Sequence, residues 1–205
     1  MRVPTAASRS KPRLVVASLN RAKVRELIAL LGELPYQVVP LADVPGAALP
    51  EETATTYEGN ALLKAGAVAA LDADVALADD SGLEVDALGG APGLHSARFG
   101  GPGLDDAGRT TLLLERLRGI PPERRTARFR CVIAVVARGG PARTVEGLVE
   151  GIITDAPRGS GGFGYDPVFF HPGLGRTFGE LSEAEKSGVS HRALAARRAR
   201  ALLIG

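Results

Sequence analysis

Two adjacent carboxylates, Asp79 and Asp80, follow the apolar run Val75-Ala76-Leu77-Ala78 directly and precede Ser81-Gly82. The run reads as a buried strand that ends in the acid pair. In an extended chain, neighbouring side chains point to opposite faces. One carboxylate is then free to bind a metal or water while the other holds loop backbone. Two buried like charges repel, so at least one needs a cation or a proton. Magnesium is the hard ion that such oxygen ligands suit, and it is commonly shared with substrate phosphates. Asp-Ser-Gly is also ordinary turn composition; the doubled charge after a buried strand favours chemistry over a turn.

Four further groups of residues are candidates for the same chemistry. Ser18-Leu19-Asn20-Arg21-Ala22-Lys23 lies between a strand and a helix. Asn20 suits the helix cap, and the free N–H groups of the first turn with Lys23 make an anion site. It is not a Walker loop, because the GxxxxGK[ST] spacing is absent. Glu51-Glu52 precede a long helix that carries Lys64, although acids in a first turn are also favoured by the helix dipole. Gly159-Ser160-Gly161-Gly162-Phe163-Gly164-Tyr165-Asp166-Pro167 combines glycines, which admit a close ligand, with two aromatic faces on which a base could stack. Asp166 could accept from a ring N–H. Ser182 and Glu185 form a capping box beside Lys186. Ser190 suits the cap of the last helix and puts His191 and Arg192 in its first turn, where cations oppose the dipole. A residue placed against local preference points to function.

The elements that must position these groups alternate along the chain. A strand at residues 14–18 leads into a helix with Val24, Leu27, Ile28 and Leu31 on one face. A strand follows at 37–39, then a helix over 53–71. Strands are expected at 75–78 and 83–88, a Gly/Pro-rich loop at 89–103 and a helix at 105–118. Residues 127–137 and 144–153 form an antiparallel hairpin around Arg138-Gly139-Gly140-Pro141. A short strand at 168–170 and a helix from His191 complete the chain. This mixture predicts an α/β fold with a mixed sheet, in two lobes around a central substrate cleft. Residues 1–12 read as a loose tail and 13–205 as one catalytic domain.

The bulk properties narrow the function. A chain of 205 residues suits one domain, and a net charge of +2 argues against electrostatic capture of nucleic acid. No apolar stretch suggests a membrane span. The single cysteine, Cys131, lies in a strand-like apolar run and reads as a buried structural thiol. With no disulfide possible within the chain, a reducing, cytoplasmic setting is expected. His95 and His171 show no zinc spacing with each other or with Cys131.

The order of the blocks is more specific than any one of them. Ser18 to Glu26 supplies Ser-x-Asn-x-x-Lys-x-x-Glu, followed by Glu51-Glu52-Thr53, Asn60-Ala61-x-x-Lys64-Ala65 and Ala78-Asp79-Asp80-Ser81-Gly82-Leu83. Then come Leu88-Gly89-Gly90-Ala91-Pro92-Gly93, Ser96-Ala97-Arg98, Gly162-Phe163-Gly164-Tyr165-Asp166-Pro167, Glu185-Lys186-Ser187 and Ser190-His191-Arg192. From about Leu14 to the C-terminus this resembles the inosine/xanthosine triphosphate pyrophosphatase family. The resemblance implies hydrolysis of ITP, dITP and XTP to the monophosphate and pyrophosphate, with magnesium, in a homodimer. It implies phosphate contacts from Ser18, Leu19, Asn20, Arg21, Ala22 and Lys23, and from Lys64 and Lys186. Asp80 would be the general base and a metal ligand, with Glu51 or Glu52 assisting, and Ser81 would contact substrate. Phe163, Gly164, Tyr165, Asp166, His191 and Arg192 would hold the base. Leu19 stands where the family often has glycine. Two rival readings are a triphosphatase for modified pyrimidines and a non-catalytic binder using Arg124, Arg125, Arg128 and Arg130, or Arg197, Arg198 and Arg200.

Overall fold

Side chains alternate between the faces of a strand, and here that parity decides where each acid goes. The computed structural model describes residues 11–71 and 73–205. Strands β1 (Arg13–Val16), β2 (Gln37–Pro40), β3 (Val75–Val85), β4 (Thr126–Ala137), β5 (Ala142–Ile153), β6 (Phe169–His171) and β7 (Arg176–Thr177) form a seven-stranded sheet in the order β2-β1-β3-β4-β5-β6-β7. β1 runs parallel to β2 and β3, and the remaining pairings are antiparallel. The helices are α1 (Arg21–Leu31), α2 (Tyr57–Ala69), α3 (Asp106–Arg116), α4 (Glu183–Val189) and α5 (His191–Ile204). The expected α/β fold with a mixed sheet is what forms.

Leu14 and Val16 of β1 and Val75 and Leu77 of β3 pack with Leu27 and Leu31 of α1 and Ala195 and Ala199 of α5. Val15, Ala17, Ala76 and Ala78 pack on the other face with Ala61, Ala65 and Val68 of α2. Extending the alternation by one step sends Asp79 toward α1 and α5, and Asp80 toward α2. Further along, Leu83 and Val85 join Leu113 and Leu117 of α3 and the cluster Phe129, Phe169 and Phe178.

Three sequence expectations are corrected. β3 does not end in the acid pair. It runs unbroken because β4 pairs with it from Val75↔Ala137 to Val85↔Ala127. What ends is its other neighbour, since β1 pairs with it only as far as Val16↔Leu77. The carboxylates therefore sit just past the end of the parallel pair, where open α/β sheets bind ligands. The turn reading fails as well. Gly82 lies in the strand, and a Cβ there would stand 2.3 Å from the Gly93 carbonyl oxygen and 2.6 Å from the Tyr57 hydroxyl. Finally, α2 starts at Tyr57 rather than residue 53. Thr56 caps it by accepting from Gly59 N at 3.0 Å, and Ala54 N donates to Asn60 Oδ1 at 3.0 Å, which folds the preceding segment back onto the helix. Of the expected tail, residues 1–10 lie outside the described residues, and the Pro12 carbonyl accepts from Gln37 N at 2.9 Å.

Candidate active site

On the α1/α5 face, Asp79 meets two cations brought by two helix starts. Asn20 caps α1, its Oδ1 accepting from Ala22 N at 3.0 Å and Lys23 N at 3.1 Å. That fixes Lys23, whose Nζ lies 3.5 Å from Asp79 Oδ2. Ser190 caps α5 by accepting from Ala193 N at 3.1 Å. Arg192, in the first turn, then reaches Asp79 Oδ2 at 3.6 Å, donates to Glu26 Oε2 at 2.7 Å and donates to Ser81 Oγ at 3.0 Å. Burial opposes the charge on Asp79, but Lys23, Arg192 and Lys64 outweigh it and hold the carboxyl well below its ordinary value. Asp79 is thus a fixed anion that ties α1, β3 and α5 together.

Asp80 faces a different set. Asn60 Nδ2 donates to its Oδ2 at 3.2 Å, and Lys64 Nζ donates to its Oδ1 at 3.4 Å. Asn60 and Lys64 are one helical turn apart and share a face of α2. Lys64 also donates to Glu52 Oε1 at 2.7 Å, and Arg98 holds Glu52 Oε2 at 3.1 Å. Burial raises the Asp80 pKa, Lys64 opposes the rise only in part, and the nearby Glu52 charge adds to it. For Glu52, burial is outweighed by Lys64 and Arg98, which hold its carboxyl low. The neighbours are therefore poised oppositely, Asp79 to stay charged and Asp80 to take a proton. Of the two acids expected near the metal, Glu52 reaches Lys64, whereas Glu51 is exposed. Among the described residues no group of three or more His, Cys, Asp or Glu is arranged to hold an ion by itself. The donor set does fit a hard cation that takes one or two carboxylates and completes its shell with water and phosphate oxygens.

The base loop is held from beneath. Asp166 Oδ2 accepts from Phe163 N at 2.8 Å and from Lys186 Nζ at 2.6 Å. Gly162 has φ +72°, and a Cβ there would lie 2.0 Å from Asp166 Oδ2. Lys186 Nζ and Arg192 Cζ lie 4.8 and 5.4 Å from the centre of the Phe163 ring. Tyr165 differs from the expectation of a second stacking face. Its ring belongs to the apolar cluster with Phe129 and Phe178, and its hydroxyl donates to the Ser96 carbonyl at 2.9 Å.

His191 is buried and stacks on Phe129 with ring centres 4.6 Å apart and planes 12° apart; its Nδ1 has no hydrogen-bond partner. Burial, with Arg192, Lys186 and Lys23 nearby, holds its pKa well below 6.5. The ring is neutral when folded and takes a proton when unfolded. Its contribution to stability is therefore present above pH 6.5 and is lost as pH falls below that value. We expect the urea midpoint to fall between pH 7 and pH 5, and His191→Phe to lose that component of the fall. An unchanged pH slope in the variant would remove His191 as its source.

Asn20, Lys23, Ser81, Phe163, Gly164, Tyr165, Asp166, Lys186, His191 and Arg192 line one pocket. Ser18, Arg21 and Ala22 flank it at the start of α1, and Leu19 projects into solvent at 61 % exposure. A side chain where the family often has glycine is therefore accommodated outward. Lys64, Asp80 and Glu52 sit on the opposite face of β3. Asp106 and Arg109 of α3 also line the pocket, although they belong to no motif and nothing in the sequence singles them out. A larger cavity, ≈ 710 Å³, lies between the start of α2 and the β4–β5 hairpin. Its arginine, Arg130, is paired with Glu84 and Glu146.

The arginines of the binder reading are committed elsewhere except Arg124, which is exposed. Arg128 pairs with Asp86 and Glu150. Arg125 is buried and donates to the carbonyls of Ile120, Thr154 and Leu117. Arg197 donates to the Ser187 and Gly188 carbonyls, Arg198 to that of Glu146, and Arg200 to those of Leu31 and Glu33. Cys131 is fully buried, and burial pushes its thiol pKa up to about 12, as a structural cysteine requires. Among the described residues, no helix is long and apolar enough to cross a membrane.

Comparison with known proteins gives one answer. Residues 14–202 match the Ham1 family. The chain is 48% identical over 191 residues to a dITP/XTP pyrophosphatase of Desulforamulus reducens, covering 93% of this chain and 95% of that one. It is 50% identical over 186 residues to a dITP/XTP pyrophosphatase of Symbiobacterium thermophilum, covering 91% and 92%. Among solved structures, a HAM1 protein from Coxiella burnetii superposes with a TM-score of 0.84 at 38% identity, covering 94% of this chain and 98% of that one. A nucleoside-triphosphatase/dITP/XTP pyrophosphatase from Mycobacterium abscessus gives 0.75 at 44% identity, covering 93% and 98%.

Proposed function

Since the chain belongs to the Ham1 family, we propose that it hydrolyses non-canonical purine nucleoside triphosphates (ITP, dITP and XTP) to the monophosphate and pyrophosphate, with Asp80 as general base. The observation that carries the assignment is the division of two adjacent carboxylates between the faces of β3, Asp79 set against Lys23 and Arg192 and Asp80 against Asn60 and Lys64. They stand between a capped, lysine-bearing helix start and an aromatic loop.

In this reading one lobe built on α1 and α2 faces another built on α3 and the far strands, and the nucleotide lies between them, from the start of α1 to the Phe163 loop, along the pocket that both line. Its phosphates meet the free N–H groups at the start of α1, and Lys23, Lys64 and Lys186 offset their charge. Asp80 with Glu52 would hold magnesium, which would supply positive charge to offset that of the triphosphate. Asn60 and Lys64 orient the Asp80 carboxylate. Asp80 accepts a proton from water as the water oxygen bonds to the α-phosphorus and the bond from that phosphorus to the bridging oxygen breaks. Pyrophosphate leaves with that oxygen. Ser81, fixed between Asp79 and Arg192, lies beside the path of the substrate.

The base enters along Phe163. A 6-oxo purine presents an acceptor at O6 and a donor at N1. Arg192 bonds Glu26 and Ser81, and a guanidinium carries more N–H donors than those two bonds use, leaving it able to meet O6. Asp166 and the loop backbone face the ring edge. A 6-amino group would put a donor against donors and leave buried groups unpaired. The family resemblance supports a homodimer, and the lone buried cysteine supports a reducing, cytoplasmic setting.

The test is the kcat/KM series for ITP, XTP, GTP, ATP and a modified pyrimidine triphosphate such as 5-methyl-dCTP, with and without magnesium, read by pyrophosphate release. ITP and XTP should exceed ATP by about 100-fold or more, and chelation should abolish release. A flat profile would overturn the reading in favour of a general triphosphatase. Preference for modified pyrimidines would favour that rival.

A further inference from the structure

Arg109 is the unexplained charge in the base pocket. It lies on α3, its side chain is only 16% exposed, and its nearest acid oxygen is Asp106 Oδ1 at 4.0 Å. Its Nε is buried without a hydrogen-bond partner. An Nε shielded from water in that state gives up its hydration without the bond that would offset the loss. The position is held firmly. Asp106 Oδ2 accepts from Gly164 N at 2.8 Å, and Thr110 Oγ1 donates to the Gly164 carbonyl at 3.4 Å. The first turns of α3 are therefore docked on the loop that carries Phe163, and Arg109 joins the lining of the same pocket.

The pocket thus receives cations from two separate walls. Lys186 and Arg192 come from α4 and α5 and approach Phe163, while Arg109 comes from α3. Lys186 and Arg192 already have carboxylate partners in Asp166 and Glu26; Arg109 has no comparably close one. A base that completes this pocket carries an acceptor on a second edge. Among purines, xanthine does so, since its 2-oxo group is an acceptor and its ring loses the adjacent N3 proton more readily than other purines. Guanine presents a donor at the same carbon.

We infer that Arg109 is a specificity-determining residue that reads the purine 2-position, donating to the 2-oxo group of XTP and opposing the 2-amino group of GTP. This rests on the purine triphosphate reading above and supplies the discrimination that the O6 contact lacks, because GTP shares the 6-oxo group. Hypoxanthine carries only hydrogen at that carbon and is indifferent to Arg109.

The experiment measures kcat/KM for XTP, ITP and GTP in wild type, Arg109→Met and Arg109→Lys, with equilibrium binding of XMP and IMP to each. Arg109→Met keeps an unbranched stem against the pocket wall and removes the donors. It should lower the XTP:ITP ratio on the order of tenfold, the range for a charge-assisted bond, and raise GTP relative to ITP. Arg109→Lys should retain part of the XTP preference, and the XMP:IMP binding ratio should move with the kinetic one. Equal losses for XTP and ITP would reduce Arg109 to a support of the loop and overturn the inference, as would unchanged ratios. Failure of the broader reading looks different, because it shows in the wild type itself, as no pyrophosphate release from any of the three or as ATP turned over as well as ITP.

Discussion

Asp80→Asn is expected to lower kcat for ITP by about two to four orders of magnitude, the usual contribution of a positioned general base. Its KM should change far less if Lys23, Lys64 and Lys186 carry the phosphate binding. The substitution preserves shape, and burial already opposes charge at this position, so the fold should be held at least as well. Melting temperature and pyrophosphate release, measured on the same preparation, separate the two effects. Near-wild-type turnover in a folded Asp80→Asn protein would remove Asp80 from the role of base.

The adjacent substitution should do the reverse. Asp79→Asn leaves Lys23 without its acid partner and takes one of two carboxylates from Arg192. Breaking a buried pair costs about 3–5 kcal/mol; the lower end applies here because Glu26 still holds Arg192 at 2.7 Å. Since the folded carboxyl is held below its unfolded value of 3.8, the stabilisation is fully present above that pH and lost as pH falls further. The difference in urea stability between wild type and Asp79→Asn should thus be constant from pH 6 to 8 and shrink toward pH 3. A loss below about 1 kcal/mol, the scale of a surface pair, would show that the three-element tie contributes little.

The contrast between these neighbours could be anticipated only in part from the sequence. Strand alternation alone separates the two side chains onto opposite faces, and the apolar run before them marks the strand as buried. Local chemistry also determined the caps at Asn20, Ser182 and Ser190, because each cap bonds backbone within three residues of itself. The hairpin of β4 and β5 was readable for the same reason, since its turn and its alternation lie in contiguous chain. The order of the motif blocks was enough to indicate the family.

Tertiary structure decided the rest. Whether β3 stops at the acids depends on β4, which is more than forty residues away at Asp80↔Val132. The start of α2 depends on Asn60 folding the segment before Thr56 back on the helix. Which carboxylate keeps its charge depends on Lys23, Lys64 and Arg192, drawn from three helices. Arg192 and Asp79 are distant in sequence, and burial makes their attraction strong enough to matter. Arg109 had no local signal at all, since an arginine in an amphipathic helix is ordinarily a solvated charge; its burial beside Gly164 exists only once α3 docks on the base loop. Sequence determined the elements, the caps and the parity of Asp79 and Asp80, because those follow from bonds and spacings within a few residues. The folded sheet alone decided which acid is held as an anion and which is poised to take a proton, because desolvation and charge proximity are set by neighbours that the chain brings from afar.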